Sequence, residues 1–197
     1  MVARRSKRRE RRVLPDARRR RFKAVAISGI VLALVALIAL DHSGLLAAPR
    51  SDSRRYDGVP TRILRVIDGD TVIVDRADLL TDKPSTRVRL WGIDSPELAR
   101  HGAPAQPFAE EAARFARDRL DGATVTLILE PSRLRGRYGR LLAHLRMQDG
   151  EFFSLKILRA GLARNDTRWP HRWMAEYKAA EQSAQTAGVG LWAKRKR

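Results

Sequence analysis

From residue 60 onward, short runs of alternating apolar and polar residues predict β-strands. Within residues 86–91 two apolar side chains alternate with Arg87 and Arg89, which is the pattern of a strand with one buried face. An Asp-Gly pair at residues 68–69 separates the first two β-branched runs, and such a pair strongly favours a hairpin turn. The pattern predicts five strands, at residues 63–67, 71–74, 86–91, 124–129 and 140–146.

Apolar residues that recur every three or four positions predict helices in the rest of this region. Phe108, Ala112 and Phe115 would share one face of the first helix, and Gly161 and Gly188 would end the other two. The predicted helices are residues 107–120, 154–160 and 173–187. Five short strands interspersed with helices indicate a mainly β, α+β domain, in which a small closed barrel carries about three packed helices.

A different pattern, an unbroken apolar run, occupies residues 24–40. Seventeen residues at about 1.5 Å each span roughly 25 Å, near the lower limit for crossing a bilayer. Cations crowd residues 18–23, so the positive-inside rule keeps the N-terminus in the cytoplasm and exports the residues after the apolar run. We expect a single-pass anchor with the C-terminal domain outside the cytoplasm. A signal peptide cleaved near Ala47-Ala48, which would release a secreted protein, is the alternative.

These patterns divide the chain into five segments. Residues 41–58 mix Ser, Pro, Gly, Arg and Asp without periodicity, which is typical of a linker. The predicted organisation is a basic cytoplasmic tail (1–23), a membrane anchor (24–40), the linker (41–58), a folded domain (59–193) and a basic tail (194–197).

Charge and cysteine content narrow the classes of function. Residues 1–23 hold twelve basic and two acidic residues, while the remainder holds 28 and 20. A folded domain with such an excess attracts polyanions, most often nucleic acid, although an arginine bias for solubility is an alternative. The chain has no cysteine, which excludes disulfides, thiolate catalysis and cysteine-ligated metals. Its four histidines show no metal-ligand spacing.

Four carboxylates flank the predicted third strand and first turn. Asp68 and Asp70 bracket the turn glycine, whereas Asp94 and Glu97 come after the third strand. If the strands pair in sequence order, these side chains meet at one rim of the barrel. Oxygen ligands without cysteine or clustered histidine favour calcium or magnesium over zinc. The alternative is structural, since Asp-Gly turns and Ser-Pro-Glu helix openings are both common.

Two arginines complete a set of groups suited to phosphate chemistry. Arg89 precedes Asp94 by five positions, and Arg140 ends the segment Arg137-Tyr138-Gly139-Arg140. Guanidinium groups bind phosphate in a planar, bidentate manner. A metal, a carboxylate base and paired arginines are the components needed to hydrolyse a phosphodiester.

Three blocks of this sequence, in this order, resemble the signature blocks of the staphylococcal-nuclease-like (thermonuclease) family. They are Val-Ile-Asp-Gly-Asp-Thr at residues 66–71, Arg-Leu-Trp-Gly-Ile-Asp-Ser-Pro-Glu at residues 89–97, and Tyr-Gly-Arg at residues 138–140. Gly161-Leu162-Ala163 and residues 188–192 resemble later landmarks. The resemblance covers residues 60–193. It implies a five-stranded OB-fold barrel that hydrolyses DNA and RNA with Ca²⁺, leaving a 3′-phosphate.

The resemblance also implies a metal site in the carboxylate-rich region. Asp70 and Asp94 would bind the ion through carboxylate oxygen, and Ser95, where the family often has threonine, would add its backbone carbonyl. Asp68 would lie beside the metal as a supporting group rather than as a ligand.

The same resemblance implies roles in substrate binding and catalysis. Glu97 would orient or deprotonate the attacking water, while Arg89 and Arg140 would hold the scissile phosphate and stabilise its developing charge. Arg137 and Tyr138 would contact the substrate. The chain departs from the family in two places: Gly136 stands near an expected acidic residue, and residues 165–169 offer no clear counterpart to the family's base-packing tyrosines.

A non-catalytic function is the alternative to a nuclease. OB-fold barrels bind single-stranded nucleic acid through basic grooves and aromatic residues, so a membrane-anchored nucleic-acid- or protein-binding module is possible on this fold. Such a module has no need of the acidic and arginine residues together, and degenerate family copies usually lose several. All five are present: Asp70, Arg89, Asp94, Glu97 and Arg140. The sequence therefore favours the enzyme, which we expect to be monomeric.

Overall fold

The computed structural model describes Gly29, Val31, Leu32 and residues 48–100 and 102–193. Three predicted segments lie wholly or mostly outside the described residues: 1–23, 24–40 and 194–197. The first part of the predicted linker, residues 41–47, also lies outside them. Among the described residues, no helix combines the length and the apolar character needed to cross a membrane. Residues 48–100 and 102–193 belong to one compact unit.

Seven strands occur in the described part of this unit: β1 (Pro60–Val66), β2 (Thr71–Val74), β3 (Thr86–Leu90), β4 (Ile93–Asp94), β5 (Thr124–Ile128), β6 (Leu141–Arg146) and β7 (Arg164–Asn165). Five of them close into a barrel with the neighbour order β1-β2-β3-β6-β5. All pairs around the barrel are antiparallel except β3 and β6, which are parallel. The five-stranded barrel predicted from the sequence is confirmed.

The interior of the barrel is apolar because alternate side chains of each strand point inward. On β3, Val88 and Leu90 are buried while Arg87 is exposed and Arg89 is only partly covered, as the alternation predicted. Val72 and Leu141, from the neighbouring strands, are fully buried beside them. The outward face of β3 therefore carries two arginines toward the predicted site.

The described residues of this unit also form four α-helices: α1 (Ala48–Tyr56), α2 (Ala109–Leu120), α3 (Phe153–Arg159) and α4 (Met174–Ala187). The last three correspond to the predicted helices within two residues at each end. Phe108 was expected on a helical face but adopts a φ of 68° immediately before α2. The buried stripe of α2 consists instead of small residues and one leucine, which allow a close approach to the barrel.

Helix α1 lies inside the segment that the sequence assigned to a linker, and this interpretation of residues 48–58 is corrected. Tyr56 is fully buried and its hydroxyl donates a hydrogen bond to the carbonyl of Ala77 at 2.9 Å. Asp57 accepts a hydrogen bond of 2.8 Å from the amide of Leu129. The helix has no apolar periodicity because a few specific contacts, rather than a continuous apolar face, hold it to the barrel.

Candidate active site

The turn between β1 and β2 places two carboxylates at the barrel rim. The amide of Asp70 donates a hydrogen bond of 3.1 Å to Oδ1 of Asp68, which defines the turn. The side chain of Asp70 is only 1% exposed. Its backbone carbonyl accepts a hydrogen bond of 2.7 Å from the amide of Leu90. The turn is therefore tied to the end of β3, next to the loop that carries the other predicted residues.

The loop after β3 packs directly on this turn. The amide of Ser95 donates a hydrogen bond of 2.7 Å to Oδ2 of Asp70, 25 positions away in the chain. Gly69 permits this approach, because a Cβ atom at that position would lie 2.7 Å from Cβ of Ser95. On its other side the loop is held by β4, whose Asp94 pairs with Arg164 of β7. Folding thus brings the two predicted carboxylate segments together.

Arg89 connects the two acidic residues that were predicted to bind a metal. Its Nη1 forms an ion pair with Asp70, and its Nη2 donates a hydrogen bond of 2.6 Å to Oδ1 of Asp94. A further bond of 3.1 Å reaches the carbonyl of Ile93. Only 14% of the Arg89 side chain is exposed. A single guanidinium group therefore draws Asp70 and Asp94 to one point.

Burial is the largest single influence on the pKa of three charged groups at this point, and the neighbouring charges add to it or oppose it. Desolvation raises the pKa of Asp70 to about 7, because the charge of Arg89 offsets only part of that cost and the charge of Asp68 adds to it. Burial lowers the pKa of Arg89, but the charges of Asp70 and Asp94 outweigh it and the net pKa is raised. The pKa of Arg140 is lowered, first by burial and then by the nearby charge of Arg89. Asp70 is a buried carboxylate that a further cation would stabilise.

Glu97 is exposed and its backbone is fixed by Gln106. The amide of Glu97 donates to Oε1 of Gln106 at 3.0 Å, and the amide of Gln106 donates to the carbonyl of Glu97 at 2.9 Å. This pair of bonds presents the Glu97 carboxylate at the surface while its backbone stays in place. Gln106 was not singled out in the sequence, where a glutamine before a helix carries no distinctive signal.

Two grooves meet at Glu97, Tyr138 and Arg140, since all three residues line both. The strand groove runs along the barrel strands, has a volume of about 580 Å³ and is also lined by Arg65, Ile73, Lys83, Arg87 and Arg100. The loop groove has a volume of about 400 Å³ and is also lined by Arg89, Asp94, Arg133, Arg137, Arg168 and Trp169. Every predicted catalytic and substrate-binding residue therefore lies in or between these grooves.

The ligand atoms available at this point suit a hard cation that is bound by only a few protein groups. Asp70 and Asp94 converge on one positive group and offer only oxygen, which favours calcium or magnesium. Within the described ranges, no three or more His, Asp or Glu side chains are grouped so as to hold a metal ion. An ion at this point would rest on the two carboxylates and take its other oxygen ligands from the backbone of Ser95, water or substrate.

Sequence reasoning overlooked several groups near the site. Trp169 lies in the segment that offered no counterpart to the family's aromatic residues, yet it lines the loop groove, half exposed, with the guanidinium carbon of Arg133 4.0 Å from its ring centre. Arg100 faces Asp68 at 3.8 Å. Arg135 donates a hydrogen bond of 2.8 Å to the carbonyl of Gly139, beside Arg140. In a chain with forty basic residues, these arginines had no distinguishing sequence signal.

Comparison with known proteins identifies the family of this chain. Residues 87–194 match the family model described as "Staphylococcal nuclease homologue". The chain is 30% identical to a thermonuclease of Staphylococcus intermedius over 171 residues, which cover 84% of this chain and 96% of that protein. It is 33% identical to a thermonuclease of Staphylococcus hyicus over 132 residues, or 66% of this chain and 74% of that one. Endonuclease YncB of Bacillus subtilis is 30% identical over 132 residues, covering 66% of this chain and 60% of its own length.

Proposed function

The chain belongs to the staphylococcal nuclease homologue family, and on that premise we propose that it is a calcium-dependent endonuclease that hydrolyses phosphodiester bonds of DNA and RNA. We further propose that it leaves 3′-phosphate ends. The observation that carries this proposal is that four of the predicted site residues line one groove: Arg89, Asp94, Glu97 and Arg140. The buried Asp70 forms an ion pair with Arg89 of this group. Relatives named thermonuclease and endonuclease support it.

The basic residues of the site would hold the scissile phosphate. Arg89 and Arg140 both line the loop groove, so their guanidinium groups can approach the same phosphate from two directions. Both donate N–H groups to its oxygens and stabilise negative charge as it develops. Calcium, when bound at Asp70 and Asp94, would add Lewis-acid polarisation of the phosphate. Arg137 and Tyr138 would contact nucleotides next to the scissile bond.

Glu97 would act on the attacking water. Its carboxylate is exposed where the two grooves meet, and the bonds to Gln106 hold its backbone in place. A carboxylate in this position can accept a hydrogen bond from water and take up its proton as the new P–O bond forms. The leaving 5′-oxygen would then acquire a proton from solvent, since the junction is open.

A digestion assay tests the proposal. The full chain is incubated with single-stranded DNA, duplex DNA and RNA, with calcium or with a calcium chelator. We expect cleavage only with calcium, and 3′ ends that support primer extension only after phosphatase treatment. Glu97→Gln and Arg140→Ala should each lower kcat by about 10²–10⁴-fold.

Matched substitutions on α2 provide the controls. Glu110→Gln and Arg114→Ala alter exposed residues that line neither groove, and should retain wild-type rates. Absence of cleavage at every calcium concentration would remove the enzyme proposal. Binding without cleavage would favour the alternative, a non-catalytic nucleic-acid-binding module, for which the basic grooves and the exposed ring of Tyr138 are suitable.

We also propose that residues 24–40 anchor the protein in a membrane, with the nuclease domain outside the cytoplasm. The support is the apolar run and the cations at residues 18–23 that precede it. A reporter fused after residue 197 should be active only outside the cytoplasm, and the protein should sediment with membranes. Recovery of the domain in the medium would indicate cleavage and secretion instead, and reporter activity in the cytoplasm would contradict the topology.

A further inference from the structure

The strand groove contains cations that the proposed chemistry does not use. Arg65, Lys83 and Arg87 line it, and none of them forms an ion pair with another described residue. The same groove has three acidic residues, of which Asp68 and Asp78 are already engaged, so Glu97 alone faces the three cations with a free carboxylate among the described residues. Asp78 is bound by Arg135 at 2.8 Å, and Asp68 accepts a hydrogen bond within its own turn. The groove therefore has uncompensated positive charge.

Two of these cations, Arg65 and Arg87, are arranged in register across the sheet. Ile73 of β2 pairs with Arg65 of β1 on one side and with Arg87 of β3 on the other. Paired residues on neighbouring antiparallel strands project to the same face of a sheet, about 5 Å apart. Arg65 and Arg87 are exposed and Ile73 is half-buried, so this face is turned outward. Two guanidinium groups thus flank an apolar side chain, which is an arrangement suited to phosphates on either side of a sugar or base.

The position of the strand groove relates it to the cleavage point. Glu97, Tyr138 and Arg140 lie between the two grooves and line both. An endonuclease cuts within a strand, so the nucleic acid must continue on both sides of the scissile phosphate. The loop groove, with Trp169 and Arg133, can hold the nucleotides on one side. The strand groove opens at the same three residues and can receive the nucleotides on the other side.

We propose that the strand groove is a second substrate-binding subsite, which holds the continuation of a single-stranded nucleic acid beyond the scissile phosphate; this inference rests on the proposed endonuclease activity. Its volume of about 580 Å³ is that of a pocket for a small ligand, and so suits a few nucleotides of one strand rather than a duplex. Phosphates contact Arg65, Lys83 and Arg87, and the exposed ring of Tyr138 offers a stacking surface at the junction.

The test compares two variants of equal charge in the full chain. Arg65→Ala/Arg87→Ala alters the groove, whereas Arg62→Ala/Arg114→Ala removes two exposed arginines that line neither groove. Binding to an oligothymidylate of about 12 nucleotides and to a thymidine dinucleotide is measured with a calcium chelator over a range of salt concentrations. The basic N-terminal segment is present in every variant, so its contribution cancels. Thermal melting confirms that each variant is folded.

At low salt the groove variant should bind the oligothymidylate with about tenfold or more lower affinity than the wild type. The slope of log affinity against log salt concentration should become less steep by about 0.7 for each lost phosphate contact. Affinity for the dinucleotide should decrease much less, since this ligand is too short to fill both grooves. Equal losses in the two variants would show a general charge effect and overturn the subsite. Equal losses for the oligothymidylate and the dinucleotide would also overturn it, as would an equal loss for a duplex of the same length.

Cleavage with calcium separates this inference from the proposed function. The groove variant should lower kcat/KM for the oligothymidylate far more than for the dinucleotide. If wild-type protein cleaves neither substrate while the binding pattern holds, the nuclease proposal fails and the binding groove remains. If wild-type protein cleaves both and the groove variant lowers both equally, the groove assignment fails and the nuclease proposal remains.

Discussion

Asp52 and Arg135, which are 83 positions apart, are joined by two hydrogen bonds of 2.7 and 3.0 Å between carboxylate and guanidinium. The same guanidinium donates bonds of 2.8 and 3.0 Å to Asp78 and one of 2.8 Å to the carbonyl of Gly139. All five N–H groups of Arg135 are therefore used. Because Gly139 precedes Arg140, this cluster links α1 to the loop that carries a proposed catalytic residue.

Arg135→Leu should destabilise the protein strongly. It leaves Asp52 and Asp78, both buried, without their cation, and loss of one partner from a buried ion cluster costs about 3–5 kcal/mol. Urea unfolding at neutral pH measures the change. Combining it with Asp52→Asn and Asp78→Asn removes the unpaired charges and should recover part of the loss. If the single and triple variants were equally stable, uncompensated charge would not be the cause.

Helix α1 should be required for full stability. A chain that starts at residue 59 lacks Tyr56, whose fully buried ring would leave a cavity, and loss of a large buried aromatic residue costs about 3–5 kcal/mol. A chain that starts at residue 47 should melt like the full-length protein. Tyr56→Ala in the full chain should reproduce most of the effect. Identical melting temperatures for the chains starting at 47 and 59 would restore the linker interpretation.

His144 should make stability depend on pH. Burial, followed by the charges of His171 and Arg172, lowers the pKa of His144 to about 2, so the ring is neutral in the folded protein. Its Nδ1 lies 2.7 Å from the hydroxyl of Tyr177, and its Nε2 lies 3.5 Å from Glu130. In the unfolded chain an ordinary pKa of about 6.5 allows protonation. Stability should therefore be fully present above about pH 6.5 and decline toward pH 2, by at most about 1.4 kcal/mol per pH unit.

Chemical unfolding between pH 7.5 and 5 compares the wild type with His144→Gln. The variant should be less stable at pH 7.5, because the ring packs against Trp173 and bonds to Tyr177, but its slope with pH should be flatter. His171, whose pKa is also lowered by burial, contributes a residual slope that His171→Gln should reduce. An unchanged slope in His144→Gln would show that this ring is not the titrating group.

Gly69→Ala should impair catalysis more than stability. The added methyl group would lie 2.7 Å from Cβ of Ser95 and 3.0 Å from Cβ of Ala112, and must push the loop of Asp94 away from Asp70. Overpacking costs about 1–3 kcal/mol, whereas a displacement of about 1 Å at an active site can cost about 10²-fold in rate. Unfolding curves and kcat measure the two effects. Adding Ser95→Gly makes room and keeps the backbone carbonyl, so it should recover activity; no recovery would contradict the steric account.

Much of the barrel was predictable because its strands depend on local periodicity. On β3 the alternation of Val88 and Leu90 with Arg87 and Arg89 requires only that one face be buried, and the closed barrel satisfies it. Helices α2 to α4 likewise appear as apolar residues at helical spacing before a turn. Glycine turns and apolar repeats are local signals, and they are readable without knowledge of any distant contact.

The grouping of the site residues was only partly predictable. Ordered sequence blocks point to Asp70, Arg89 and Asp94 as a set, but not to Arg89 bridging the two carboxylates. Tertiary structure alone decides that bridge, because it depends on the turn after β1 packing against the loop after β3. The same holds for Trp169, which lines the loop groove and follows β7, the strand that pairs with β4.

The sequence by itself determined the five barrel strands and three of the helices, since these depend on local patterns, and its ordered blocks supplied the residues proposed for catalysis. Tertiary structure decided α1 and the strand groove. Asp52 becomes buried only against Arg135, and Arg65 and Arg87 are brought beside Ile73 only by strand register. Contacts between residues distant in the chain produce no periodic sequence pattern, because they form only when the complete fold brings the two residues together.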